Sequence, residues 1–134
     1  MEPGSGAVTG QPRAWLRAEG LVAFVASLAL YGSLGGSWLL LIPLLFLPDV
    51  SMVGYLRGPA LGSTLYNVAH SWATGLLVLG AAAMLRSGEL AMLGAVLTAH
   101  TGMDRAVGYG LKYPSAFEDT HLGGIGRRRG RGQR

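Results

Sequence analysis

The chain has 134 residues and no cysteine, and 13% of its residues are charged, about half the share of an average soluble domain. The length allows one domain at most. The absence of cysteine excludes disulfide frameworks, thiolate metal sites and cysteine nucleophiles. The formal net charge of +4 comes from five arginines among the last eight residues, and the rest of the chain is close to neutral.

Four apolar segments follow one another along the chain, at about residues 15–34, 37–47, 64–85 and 90–109. A helix of about 20 residues crosses the hydrocarbon layer of a bilayer, and the first, third and fourth segments reach that length. The second, SWLLLIPLLFL, reaches it only with its flanking residues, so we expect it to tilt, to thin the bilayer or to be re-entrant. Because backbone groups in lipid must pair internally, the sequence predicts an all-α, polytopic membrane helical bundle of about four transmembrane segments.

The ends of the chain differ in composition from this apolar region. Residues 1–13 are predicted to be a disordered tail, residues 14–126 the membrane domain and residues 127–134 a basic tail. A removable signal peptide is the less favoured interpretation of the first apolar segment, because three further apolar segments follow it.

The basic residues predict an orientation in the membrane. With four crossings, one side of the membrane receives Arg13, Arg17, Arg57, Lys112 and the arginine tail, and the other receives Arg86. The positive-inside rule therefore predicts a multi-pass protein of the cell (inner) membrane with both termini in the cytoplasm. The tail is expected to contact anionic membrane lipids, and nucleic acid is a less favoured partner because no aromatic residues are interleaved with the arginines. An oligomer is left open.

Polar side chains of the apolar region concentrate on the side predicted to be cytoplasmic. All three Asp, all three His and the single Asn of the chain belong to this group. His100 and Asp104 are spaced i,i+4, so they project from one face of a helix. Ionisable groups within a membrane normally face the bundle interior and have a partner. The group comprises Asp49, Asn67, His70, His100, Asp104, Asp119 and His121.

Two interpretations of this group are open. In one, the side chains are structural and provide hydrogen bonds between helices. In the other, histidine nitrogens and carboxylate oxygens hold a divalent ion such as zinc, manganese or magnesium, or carry out acid–base chemistry. Catalytic roles are predicted for His70, His100 and Asp104. The predicted metal ligands are Asp49, His70, His100, Asp104 and His121.

The favoured functional hypothesis is a metal-dependent membrane enzyme, although whether the protein is an enzyme stays open. A bound ion would activate water for hydrolysis of a lipid-like or prenyl/phosphate substrate. Charge-assisted and amide hydrogen bonds would orient that substrate. The predicted substrate-binding residues are Arg57, Asn67, Arg105 and Lys112. The alternatives are a proton or ion relay and a non-catalytic membrane subunit in which the polar residues are structural.

Two long motifs of the chain also resemble a known family. The runs LPDVSMVGYLRGPALGSTLYNVAHSWA and AHTGMDRAVGYGLKYPSAFEDTHLGGIG resemble the domain-of-unknown-function family 4260 of small bacterial membrane proteins. The resemblance covers about residues 19–126. It implies a membrane location but no activity. It also implies a recurring polar set that matches Asp49, Asn67, His70, His100, Asp104, Arg105, Lys112, Asp119 and His121.

Overall fold

The computed structural model describes residues 6–125. This part of the chain is helical and contains no β-strand, only one isolated β-bridge between Lys112 and Thr120. The helices, in chain order, are α1 (Gly10–Ser33), α2 (Trp38–Leu45), a 3₁₀ helix (Leu47–Arg57), α3 (Pro59–Ala69), α4 (Trp72–Leu85) and α5 (Gly88–Val107).

Three helical stretches are long and apolar enough to cross a membrane: Gly10–Ser33, Trp38–Arg57 and Pro59–Leu85. The fourth, α5, has 20 residues but is more polar, since it carries both acidic and basic side chains. The predicted all-α membrane bundle is therefore confirmed. The second segment is longer than the sequence indicated, because the 3₁₀ helix extends α2 as far as Arg57.

Helix α5 lies at the centre of the bundle and packs against α1, α2 and α4. Its contact with α1 is close: a Cβ atom on Gly102 would lie 2.6 Å from the carbonyl oxygen of Gly20, so the two backbones touch there. Such small residues allow membrane helices to approach without the hydrophobic driving force that operates in water. The close packing of α1 on α5 thus helps to keep the polar side chains of α5 inside the bundle.

The second segment changes helix type in its middle. Pro43 lies inside α2 and Pro48 in the first turn of the 3₁₀ helix, and neither has an N–H to donate. The chain continues with 3₁₀ hydrogen bonds, such as the 3.1 Å bond from Asp49 N to Phe46 O. It then reverses at Gly58, whose φ of +115° favours glycine, so that α3 packs back against the 3₁₀ helix.

The third segment is broken at His70 and Ser71, and it begins at Pro59, earlier than the predicted residue 64. Ser71 caps α4 by accepting a hydrogen bond from Ala73 N at 3.1 Å. Across the break, the carbonyl of His70 accepts a 3.0 Å bond from Arg105 Nη2. The break turns the His70 side chain into the bundle, where it is fully buried.

Both ends of the described chain lie at the same end of the bundle. Residues 108–125, here called the C-terminal segment, are joined to the start of the chain by Val8 N donating to His121 O at 2.8 Å and Arg13 Nε donating to Leu122 O at 2.6 Å. Helix α1 begins at Gly10, before the predicted boundary at residue 14. Residues 1–5 of the predicted N-terminal tail and the whole predicted basic tail lie outside the described residues, whereas residues 6–13 are described and are helical from Gly10 onward.

Candidate metal centre

Four side chains from three parts of the chain meet at this end of the bundle and are here called the His/Asp cluster: Asp49, His70, His100 and Asp104. The Nε2 atoms of His70 and His100 lie 3.0 Å apart. Asp49 Oδ1 lies 3.2 Å from the first of these atoms and 3.3 Å from the second. The first turn of the 3₁₀ helix, the α3–α4 break and α5 therefore position one compact group of nitrogen and oxygen atoms.

Asp104 completes the cluster from one turn further along α5. Its Oδ2 lies 3.3 Å from His100 Nε2 and 3.7 Å from His70 Nε2. The two imidazoles are buried, and the Asp104 side chain is 10% exposed. The Asp49 side chain is 32% exposed. Asp49 is thus the member of the cluster through which it reaches the protein surface.

Main-chain carbonyls fix the orientation of both histidine rings. His70 Nδ1 lies 2.8 Å from Tyr66 O, and His100 Nδ1 lies 2.6 Å from Leu45 O. A carbonyl oxygen only accepts hydrogen bonds, so both Nδ1 atoms must carry the proton. In the neutral rings both Nε2 atoms then present lone pairs to each other and to the carboxylates. This arrangement needs a positive charge at its centre, either added protons or a metal ion.

The spacing of these atoms fits a metal ion. Ligands bound at zinc-like distances of about 2.0–2.1 Å in a tetrahedron lie about 3.3 Å from one another. The atoms of Asp49, His70 and His100 are 3.0–3.3 Å apart and form a group able to hold such an ion. The carbonyl bonds to Nδ1 are the outer-sphere contacts that usually orient metal-binding histidines. Asp49, His70 and His100 therefore form a candidate metal site.

Tyr66 supports the cluster and was missed by the sequence interpretation. Its hydroxyl donates to Asp104 Oδ2 at 3.2 Å, and its ring stacks on the His70 ring with centroids 3.7 Å apart. The side chain is 2% exposed. The one available signal was its position a single helical turn before His70, which places both side chains on one face of α3.

Two residues predicted to bind substrate instead hold the protein's own backbone. Arg105, which is 4% exposed, donates to His70 O and to Tyr109 O, each at 3.0 Å. Asn67 pairs with the main chain of Lys112: Asn67 Nδ2 donates to Lys112 O at 2.8 Å, and Lys112 N donates to Asn67 Oδ1 at 2.7 Å. These contacts tie α3, α5 and the C-terminal segment together around the cluster.

Lys112, the only lysine of the chain, lies buried against aromatic rings. Its Nζ donates to Phe117 O at 2.7 Å and lies 3.5 Å from the centroid of the Phe117 ring. The same atom is 4.5 Å from the centroid of the Tyr66 ring. Burial lowers the pKa of Lys112 from 10.5 to about 8. Lys112 therefore places an ammonium group, which loses its proton more easily than that of an exposed lysine, next to Tyr66.

The remaining predicted site residues lie outside the cluster. His121 Nδ1 accepts a 2.8 Å hydrogen bond from Leu111 N, and its burial, followed by the charge of Arg105, lowers its pKa. Asp119 Oδ2 accepts from Ser115 Oγ at 2.7 Å within the C-terminal segment. Arg57 is exposed at the end of the 3₁₀ helix.

A family profile described as a domain of unknown function, DUF4260, matches residues 13–125 of the chain. The chain belongs to this family. The match includes all four members of the His/Asp cluster as well as Tyr66. No curated protein and no solved structure matches the DUF4260 chain.

Proposed function

We propose that this DUF4260 protein is a metal-dependent membrane hydrolase that acts on an ester or phosphoester bond of a lipid-like substrate. One observation carries the proposal: the Nε2 atoms of His70 and His100 face each other at 3.0 Å although main-chain carbonyls already occupy both Nδ1 atoms. Two neutral imidazoles would place lone pair against lone pair there. A divalent ion held by both nitrogens and by Asp49 would remove that repulsion.

The ligand set favours a zinc-like ion. Magnesium prefers an octahedral set of oxygens, whereas imidazole nitrogens suit zinc and other first-row transition metals. Asp49, His70 and His100 provide two nitrogens and one carboxylate. Catalytic zinc sites typically have three protein ligands and keep a fourth position for water or substrate. We assign these three residues as the metal ligands.

Asp104 is assigned as the general base. A zinc-like ion held by Asp49, His70 and His100 would supply Lewis-acid activation of a water molecule. Asp104 Oδ2, 3.3 Å from His100 Nε2, accepts the proton of the attacking water. The water oxygen bonds to the carbonyl carbon or phosphorus, the ester bond to the leaving oxygen breaks, and Asp104 returns the proton to that oxygen. Tyr66, donating to Oδ2, holds the carboxylate in position.

The surroundings of the cluster favour a substrate from the membrane. The adjoining helices expose large apolar side chains, such as Leu47 at 45% and Val53 at 60%. At the same end the C-terminal segment is fastened to α1 and α3. Asp49, the most exposed member of the cluster, lies on the 3₁₀ helix that carries these apolar residues. Arg57, exposed on the same helix, is assigned to contact an anionic headgroup.

A second function is favoured by the position of Asp104. If Asp104 Oδ2 becomes a fourth ligand, the site is closed, as structural zinc sites are. The protein would then be a non-catalytic membrane subunit whose ion fastens the 3₁₀ helix, the α3–α4 break and α5 to one another.

Replacing Asp104 distinguishes the two functions. Asp104→Asn keeps an acceptor for Tyr66 but loses the base. The detergent-purified full chain and its variants are assayed for bound metal by mass spectrometry. Hydrolysis is followed with 4-nitrophenyl palmitate and bis(4-nitrophenyl) phosphate. The hydrolase predicts that Asp104→Asn keeps stoichiometric metal and loses hydrolysis. The structural site predicts that the same variant loses metal.

The histidine variants provide the controls for this experiment. His70→Ala and His100→Ala should each abolish metal binding, whereas His121→Ala, which lies outside the cluster, should retain it. Metal-free wild type, or equal metal in all three variants, would rule out the proposed centre. Wild type that binds metal but hydrolyses neither probe would favour the structural function.

A further inference from the structure

A mostly apolar cavity of about 400 Å³ begins at the end of the bundle opposite the His/Asp cluster. It lies between the C-terminal end of α1, the loop that follows it, α2 and the N-terminal half of α5. Its size is within the range of pockets that bind small organic molecules. The residues that define it here are Tyr31, Gly36, Leu40, Leu44, Met92 and Val96.

The inner end of the cavity approaches the cluster. Leu44 lines the cavity, and the next residue, Leu45, accepts the 2.6 Å hydrogen bond from His100 Nδ1. Val96 lines the cavity on α5 and lies one helical turn, about 6 Å, before His100 on the same face. The cavity and the cluster therefore follow one seam between α2 and α5.

The lining is suited to hydrocarbon. The hydroxyl of Tyr31 donates to Ser37 O at 2.8 Å, so its polar tip already has a partner. The carboxylate of Glu89 is at the outer end, where it accepts from Ser87 Oγ at 3.3 Å and is exposed. Between these outer groups and His100, the walls are leucine, methionine and valine. Leu40 and Leu44 on this lining are 59% and 36% exposed, so the cavity is an open apolar groove that suits a hydrocarbon chain.

We propose that this cavity binds the hydrocarbon chain of the lipid substrate, with the reacting group at the His/Asp cluster. Only the position of the reacting group depends on the proposed function. Chain binding follows from the cavity itself. From Glu89 to His100 the seam is about 16 Å long, which sets the length of chain that it can take. The protein would thus select its substrate by an extended chain as well as by its headgroup.

Photolabelling of the full chain in detergent micelles tests this inference. The probe is palmitate with a diazirine at its chain end, and the labelled residues are located by peptide mass spectrometry. Labelling should concentrate on Met92 and Leu93 of α5 rather than on the lipid-facing Leu76 and Leu77 of α4, which are 61% and 74% exposed.

Neighbouring residues of α2 provide a matched pair of variants. Leu40 lines the cavity and is 59% exposed, whereas Leu39 lies outside the lining and is 78% exposed, so Leu40→Trp places an indole in the cavity mouth and Leu39→Trp places the same ring outside it. The indole should displace about two methylenes of the chain, so α5 labelling should fall about tenfold in Leu40→Trp and stay unchanged in Leu39→Trp. A second filling variant, Leu44→Phe, should also reduce it.

Two results would overturn the inference: equal labelling of α4 and α5 in the wild type, or equal α5 labelling in Leu40→Trp, Leu44→Phe and Leu39→Trp. His100→Ala separates this result from the metal proposal. If that variant loses metal but keeps α5 labelling, the metal centre and the chain-binding cavity are both supported, as separate features. If the wild type binds no metal but labels α5 selectively, the cavity binds a chain and the hydrolase proposal fails.

Discussion

His70 and His100 place their Nε2 atoms 3.0 Å apart while each ring is held by a main-chain carbonyl at Nδ1. Neither ring is able to turn its protonated nitrogen inward without losing that bond. The neutral pair is therefore unfavourable unless a cation joins it. This relationship connects the fold to the proposed chemistry, because the two carbonyls belong to the α2–3₁₀ junction and to α3.

Zinc should stabilise the folded protein. Because the three ligands come from separate helical segments, an ion binds the folded chain and has no preformed site in the unfolded one. At a free zinc concentration about 100 times the Kd, the added stability is about 2.7 kcal/mol. Chelator-treated protein should gain thermal stability on zinc addition, as followed by circular dichroism. The same titration of His70→Ala/His100→Ala should produce no shift, and an equal shift there would contradict the site.

Tyr66→Phe should reduce hydrolysis by about tenfold to a hundredfold, since it removes an outer contact that orients a reacting group. Bound metal should remain stoichiometric, because the Tyr66 hydroxyl contacts Asp104 rather than the assigned ligands. The pH profile of kcat should also shift, which a purely structural defect would not cause. Tyr55→Phe is the matched control: its hydroxyl is buried without a hydrogen-bond partner among the described residues. Equal losses of hydrolysis in Tyr66→Phe and Tyr55→Phe would show that the Tyr66 hydroxyl has no specific role in positioning Asp104.

Lys112 should titrate at about pH 8 in the folded protein and near 10.5 in the unfolded chain. Between these values the unfolded state binds more protons, so the free energy of unfolding should rise with pH across that window and be flat below it. With a single lysine in the chain, ¹³C-lysine labelling provides one side-chain Cε resonance to follow by NMR. A folded-state midpoint near 10.5 would show that Lys112 is solvated rather than buried on the rings.

Reporter fusions at Gly36 and Arg134 should report opposite compartments, with Arg134 in the cytoplasm. The loop after α1 and the C-terminal segment lie at opposite ends of the bundle, and the basic residues predict which end faces inward. If both fusions report the same side, the four-crossing arrangement is wrong. If they report opposite sides with Arg134 outside, only the orientation is wrong.

The sequence alone was enough for the helical class and for the expectation that the polar residues lie toward one end of the bundle. Segment length and hydropathy predict membrane helices because lipid demands internal backbone pairing, which is a local property of each segment. The i,i+4 spacing of His100 and Asp104 likewise places them on one face without knowledge of the rest of the chain. The cost of leaving Asp49 or His70 in lipid then predicts that they turn inward.

Only the tertiary structure decided which polar side chains meet. Residue chemistry alone predicts substrate contacts for Asn67, Arg105 and Lys112. In the structure these side chains bind carbonyls and amides that the α3–α4 break and the C-terminal segment leave unpaired. These unpaired backbone groups arise from long-range packing, such as the contact of Gly20 with Gly102, which no local sequence pattern reveals. The carbonyls of Leu45 and Tyr66, which set the two histidine tautomers, belong to the backbone and have no signature in residue type.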